Sequence, residues 1–175
     1  MTGKTGIVDS IQPRLEAIQD FYGNTPLHYA IAQNDTNMIL KYFKMGSLYF
    51  EQRNFKYQSI FHIAGKHNSL LSLKALLGRS VFIEELLKKD FKGDTPLHSA
   101  AKSGSIDVLE FFMTACTPQF LEIQNDFGQT PMKAATDKLA MANEQLDKAT
   151  KKKEKDHLVA KVEKLLDVVK FMESF

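Results

Sequence analysis

The chain is short of the features that carry the commoner chemistries. Cys116 is its only cysteine in 175 residues, so no disulfide can form within it. Such a chain is expected in a reducing compartment. No apolar run approaches the length of a membrane span, and the opening MTGKTGIVDS has no apolar leader stretch. The expectation is a soluble, cytoplasmic protein. Charge of one sign is not in excess: the formal net charge is +2, too small to make nucleic acid the expected partner. No pattern has metal-ligand spacing, a nucleotide fingerprint or a nucleophile elbow. GKT at 3–5 lacks both the upstream glycine of a phosphate loop and a preceding strand. Cys116 has no histidine near it in sequence and is read as a packing residue. No enzyme, cofactor, metal or small-molecule substrate is therefore expected. Hydrophobic residues make up 43% and charged residues 25%, which suits one globular domain with a real core.

What is present is a recurring segment. DFYGNTPLHYA occupies 20–30, NFKYQSIFHIA 54–64, DFKGDTPLHSA 90–100 and NDFGQTPMKAA 125–135. The hydroxyl residues Thr25, Ser59, Thr95 and Thr130 are spaced by 34, 36 and 35 positions. Asp20, Asn54, Asp90 and Asn125 favour turns. Gly23, Gly93 and Gly128 can take positive φ. Each hydroxyl can cap a following helix whose first position is Pro26, Pro96 or Pro131. A second, more apolar stretch follows each short helix, as in NMILKYF, LLSLKALL and IDVLEFFM, with large residues three and four apart. Such a helix pair cannot bury its apolar face alone, so neighbouring pairs must stack into a solenoid.

TPLHYA and TPLHSA match the T-P-L-H-x-A signature of a repeat of about 33 residues, and the sequence resembles the ankyrin-repeat family over roughly 20–135. The resemblance implies an all-α ankyrin-repeat solenoid of helix-turn-helix pairs with short finger loops and an extended C-terminal helical cap. It divides a single domain, 1–175, into an N-terminal cap (1–19), repeats at 20–53, 54–89 and 90–124, and a fourth repeat (125–175) with a charged helical insertion and a capping helix. It also implies a scaffold role for His28, His62 and His98, each tying its own Thr25, Ser59 or Thr95 to a neighbouring backbone group. Thr130 leads the fourth copy, where Lys133 takes the histidine's place. Three histidines one repeat apart cannot converge on one metal.

The chain departs from the family in places. Tyr57 stands where other copies have glycine, and a tyrosine at positive φ would be unusual, so that finger is expected to turn differently. FIEELL and QFLEI read as an extra helical turn ahead of the third and fourth fingers, which lengthens the period. Residues 10–19 read as a short capping helix using Leu15 and Ile18. At the far end, positions 158, 162, 165, 166, 169 and 172 form an apolar helical stripe, read as a cap, with KKKEK at 151–155 as a solvated turn or an exposed helix end.

What remains is binding of a protein partner by a chain expected to be monomeric. The resemblance implies that the partner lies on the concave face of fingertips and first helices. Carried over, that face comprises Phe21, Tyr22, Asn24 and Gln33; Phe55, Lys56, Gln58, Lys66 and His67; Phe91, Lys92, Asp94, Lys102 and Ser103; and Asp126, Phe127, Gln129 and Lys138. Lys56, Lys66, Lys92 and Lys102 are expected to cluster, which suits an acidic patch on the partner. The alternative is an acidic surface of another class, nucleic acid or anionic lipid, met by the central lysines and KKKEK. Diverged connectors also occur among ankyrin proteins that bacteria deliver into host cells as effectors, which would place the chain in a host cytosol.

Overall fold

The computed structural model describes residues 18–44, 50–76, 82–115 and 117–174. Cys116 and most of the expected N-terminal cap lie outside them. Among the described residues there is no strand, and the helices come in pairs. Helices α1 (Pro26–Ala32) and α2 (Thr36–Phe43) form the first pair; α3 (Ile60–His67) and α4 (Leu70–Leu76) form the second. A short helix α5 (Phe82–Leu87) precedes the third pair, α6 (Pro96–Ser103) and α7 (Ile106–Ala115). A 3₁₀ turn at Pro118–Glu122 precedes the last pair, α8 (Pro131–Lys148) and α9 (Lys152–Glu173). The FIEELL and QFLEI segments are thus the extra turns that stretch the period.

Three of the four pairs start the same way. The hydroxyls of Thr25, Thr95 and Thr130 accept a backbone N–H from the third helical residue, and proline opens the same three helices. The first helices are rich in small residues because they stack closely along the solenoid. At Gly65 a Cβ would lie 2.8 Å from the Pro96 carbonyl oxygen and 3.0 Å from the Ala100 nitrogen, so α3 and α6 touch only because position 65 has no side chain. One cluster runs through the array, from Leu27, Ile31 and Ile39 through Leu73, Leu97 and Phe112 to Val168 and Met172. It is the burial of this shared surface that holds the pairs together.

The second fingertip differs from expectation. Tyr57 keeps the turn and adopts φ of +61°, beside +76°, +70° and +69° at Gly23, Gly93 and Gly128. Its backbone N–H reaches the Asn54 carbonyl at 2.8 Å, as the glycines' reach theirs. A left-handed non-glycine residue costs roughly 1–2 kcal/mol. Local contacts offset this. The Tyr57 ring stacks on Phe91 with centroids 5.4 Å apart. The Arg53 guanidinium lies 5.2 Å from the same ring centroid and donates to the Tyr57 carbonyl at 3.0 Å. Arg53 in turn faces the buried Glu85 of α5 at 3.7 Å.

The apolar stripe of α9 is also displaced from the sequence reading. Leu158, Leu165, Val169 and Met172 are buried, but Val168 is fully buried and Leu166 is 37% exposed. The face that meets α6, α7 and α8 is rotated toward 168, one helical turn on from Leu165. Helix α8 is much longer than the other first helices, so α8 and α9 run on as a charged hairpin past the other pairs.

Two outcomes follow for stability. Tyr57→Ala keeps the left-handed turn and loses the stack, whereas Tyr57→Gly loses the stack but removes the backbone cost. The alanine variant should therefore melt below the glycine variant, by about 1 kcal/mol in unfolding free energy; the reverse order in denaturant titrations would contradict the left-handed turn. Ending the chain at Thr150 removes five buried side chains, each worth about 1.5–3 kcal/mol when fully buried, from a domain whose net stability is about 5–15 kcal/mol. The shortened protein should aggregate or lose most of its cooperative melting transition, checked by calorimetry and light scattering.

Candidate functional site

The fingers are built from one hydrogen-bond pattern repeated four times. The side-chain oxygen Oδ1 of Asp20, Asn54, Asp90 or Asn125 accepts backbone N–H groups two and four residues on, at 2.8–3.1 Å. Successive fingers are sewn by a single backbone bond each: Phe55 to Tyr22, Phe91 to Lys56 and Asp126 to Lys92, all N–H to carbonyl at 3.0–3.1 Å. This shape turns the second and third finger residues outward.

Behind the fingers runs a row of imidazoles. His28 Nδ1 accepts the Thr25 backbone N–H at 3.1 Å and lies 2.8 Å from the Thr25 hydroxyl. Ser59 and His62, and Thr95 and His98, repeat this at 2.8–3.2 Å. Since a backbone N–H can only donate, Nδ1 is unprotonated and the ring proton sits on Nε2. That nitrogen donates across to the next finger: His28 to the Gln58 carbonyl (3.3 Å), His62 to Asp94 (2.9 Å) and His98 to Gln129 (2.8 Å). Burial pushes all three imidazoles below their ordinary range, His62 to about 4. They are therefore neutral near pH 7 and committed to the scaffold.

On the concave side the first two fingers and helices α1 and α3 enclose a groove of about 500 Å³. It brings together Phe21, Tyr22, Asn24 and Gln33 of the first unit with Phe55, Lys56, Gln58, Lys66 and His67 of the second. Its walls also include His28, Tyr29, Ala32, Asn54 and Ile63, of which Tyr29, Ala32 and Ile63 were not picked out by sequence. Their signal is positional: they lie on first helices, where most residues read as packing. Phe21 and Phe55 are 89% and 61% exposed. Lys66 and His67 are exposed at the end of α3, and burial together with the Lys66 charge lowers the His67 pKa.

The remaining residues of the expected surface divide. Phe91, Lys92, Ser103, Asp126, Phe127 and Lys138 are exposed. Asp94 is not: it is 5% exposed and accepts the Lys102 ammonium through both oxygens at 2.7 Å, with the Asn125 amide at 2.8 Å. Lys102 is thereby neutralised and drawn in, so the expected cluster of four lysines loses one member. Asn24, Gln58 and Gln129 are half-buried, and their side chains bond within and between fingers. These five shape the surface more than they offer themselves to a partner.

Sequence reading also passed over Asn34 and Asn68. Both end a first helix in the left-handed region, at φ of +59° and +54°, and both carry a bond to the next unit. Asn34 Oδ1 accepts the Ser72 N–H at 2.8 Å, and Asn68 Oδ1 accepts the Val108 N–H at 3.2 Å while its amide donates to Asp107 at 2.7 Å. Asparagine at a helix C-terminus was the available signal.

Neutral imidazoles fix the sign of a pH effect. In the unfolded chain a histidine binds a proton near pH 6.5, while in the fold His62 resists protonation down to about 4. Stability should thus be fully present above pH 7 and fall as pH drops from about 6.5 toward 4, by roughly 3 kcal/mol for His62 at about 1.4 kcal/mol per pH unit. Urea titrations of His62→Gln across this range should show a shallower fall than the parent; equal slopes would refute the assignment.

A family model of three ankyrin-repeat copies matches residues 61–156, and a single ankyrin-repeat model matches residues 22–43. No curated protein matches the chain.

Proposed function

The chain belongs to the ankyrin-repeat family, and from that premise we propose that it is a non-enzymatic module holding a partner protein on its concave face. Ankyrin repeats are generally protein–protein interaction modules. The observation that carries the assignment of the face is the row of exposed aromatic rings at the fingertips, Phe21, Phe55, Phe91 and Phe127. Large apolar side chains left in water beside a groove suit a partner that removes them from it, since aromatic anchors carry much of an interface's energy. The second support is charge. Lys56, Lys66 and Lys92 have no carboxylate within ion-pair distance among the described residues, so an acidic patch on the partner steers encounter. The three scaffold histidines are committed to the fold, because both nitrogens of each ring are bonded.

Affinity capture from cell lysate with the intact chain tests the face. Phe91→Ala should speed dissociation of the captured partner, and Lys66→Glu should slow its association. Lys74→Glu, exposed on the outer helix α4, should leave both rates unchanged. Melting temperatures of the two lysine variants should stay within about a degree or two of the parent, as exposed charges contribute little to folding, whereas Phe91→Ala also loses the stack with Tyr57 and should melt somewhat lower. A partner lost only with the α4 variant would move the working surface to the convex side.

A further inference from the structure

We infer that the groove between the first two fingers is the specificity site of this face, and that its occupant is a linear peptide segment carrying a carboxylate beside a bulky apolar side chain. The inference rests on the concave-face reading and narrows it to one place and one ligand chemistry.

The argument comes from comparing equivalent positions. Lys66 and Lys102 stand seven residues after Ser59 and Thr95, at the same point of α3 and α6. The residue just before the hydroxyl occupies the equivalent place in both units. In the third unit it is Asp94, which neutralises Lys102 at 2.7 Å. In the second it is Gln58, a neutral amide already turned to Asn54 and Asp90. Lys66 is therefore left with its charge unanswered, at the edge of the groove and beside His67 and Lys56. The nearest acid on the first finger, Asp20, is spent on the Tyr29 hydroxyl at 2.5 Å and on finger N–H groups. An anion arriving from outside supplies what Asp94 supplies one unit further on.

The rest of the groove sets the neighbour of that anion. Phe21, Tyr22 and Phe55 rim it and Ile63 lies in its wall, so an aliphatic or aromatic side chain entering beside the carboxylate is taken out of water. A volume of about 500 Å³ suits a few side chains of an extended segment; it does not suit a flat folded surface. The third and fourth fingers do not repeat the arrangement. There the lysine is already paired and Asp126 replaces the finger phenylalanine, so a carboxylate would meet like charge.

A phage-displayed library of random dodecapeptides, panned against the intact chain, tests this directly. Enriched sequences should carry Asp or Glu adjacent to a large apolar residue. Synthetic versions should bind about tenfold more weakly to Lys66→Glu, by charge reversal. Changing the peptide's acid to Lys should restore binding to that variant, and Lys92→Glu should change affinity less than about twofold. Enrichment without an acidic residue, or equal losses with Lys66→Glu and Lys92→Glu, would overturn the groove assignment. So would failure to enrich any peptide, since a linear segment is the stated occupant. Peptides that depend on Phe91 and Lys92 alone would sink this inference yet leave the concave-face reading standing. A partner captured through the convex side would end both.

Discussion

The bond from each scaffold imidazole to the next finger is the constraint on which the array depends. Within one unit the imidazole closes the start of the first helix by accepting from Thr or Ser. Through its other nitrogen it reaches a carbonyl about thirty residues away. The carbonyl accepting it belongs to the residue just before the next hydroxyl. One ring thus joins the start of one helix to the start of the next, and three such bonds fix the spacing of four fingers. A glutamate in a capping box would satisfy the helix start alone. Only a ring with an acceptor on one side and a donor on the other can do both jobs while neutral, which is why burial and the depressed pKa belong to the same design.

Because the histidines hold the inner edge, the outer edge must be held by something else. Helix ends do this. Asn34 and Asn68 leave the helix in a left-handed turn and hand their side-chain oxygens to the opening of the next outer helix. At the third such corner the residue is Gly104, at φ of +71°, where a Cβ would lie 2.8 Å from the Lys164 side chain. The change from asparagine to glycine marks the point where the long helix α9 packs in place of an ordinary outer helix. The cap is thus met by backbone at that corner and by Val168, Val169 and Met172 elsewhere, all in the common core.

How much of this the sequence discloses depends on whether a signal is local or relational. The Thr-Pro-Leu-His run states its own helix start, cap and imidazole, so the pairs and the scaffold histidines are readable one segment at a time. The third finger residue in DFYG, NFKY and DFKG is readable as outward for the same reason. The identity of a partner across the array is not. Nothing within DFKGDTPLH reveals that Asp94 folds back on Lys102, because that pairing spans a helix and needs the two side chains' directions. Tyr57 is a similar case: propensity argues against positive φ, and the stack with Phe91 that outweighs it lies in the next finger. On α9 the periodic pattern gives the helix but not its rotation, which buries Val168 and leaves Leu166 partly exposed.

The same geometry explains how such a surface can be specific without disturbing the fold. Along each finger the side chains alternate in duty. The first residue bonds the turn, the second and third stand in solvent, the fourth takes positive φ, and the fifth presents its carbonyl to an imidazole. The carbonyl is common to every amino acid, so the side chain at the fifth position is free to differ, and it does: Asn24, Gln58, Asp94 and Gln129. That freedom is where charge on the concave face is set. An aspartate there silences the lysine of its own unit, and a glutamine leaves it exposed. The choice between them leaves the imidazole's bond in place, since Gln58 and Asp94 accept it through identical backbone oxygens, and changes which neighbouring finger side chain each one meets. Under the proposed binding of an acidic partner, affinity would be tuned at a position whose side chain the imidazole bond does not use.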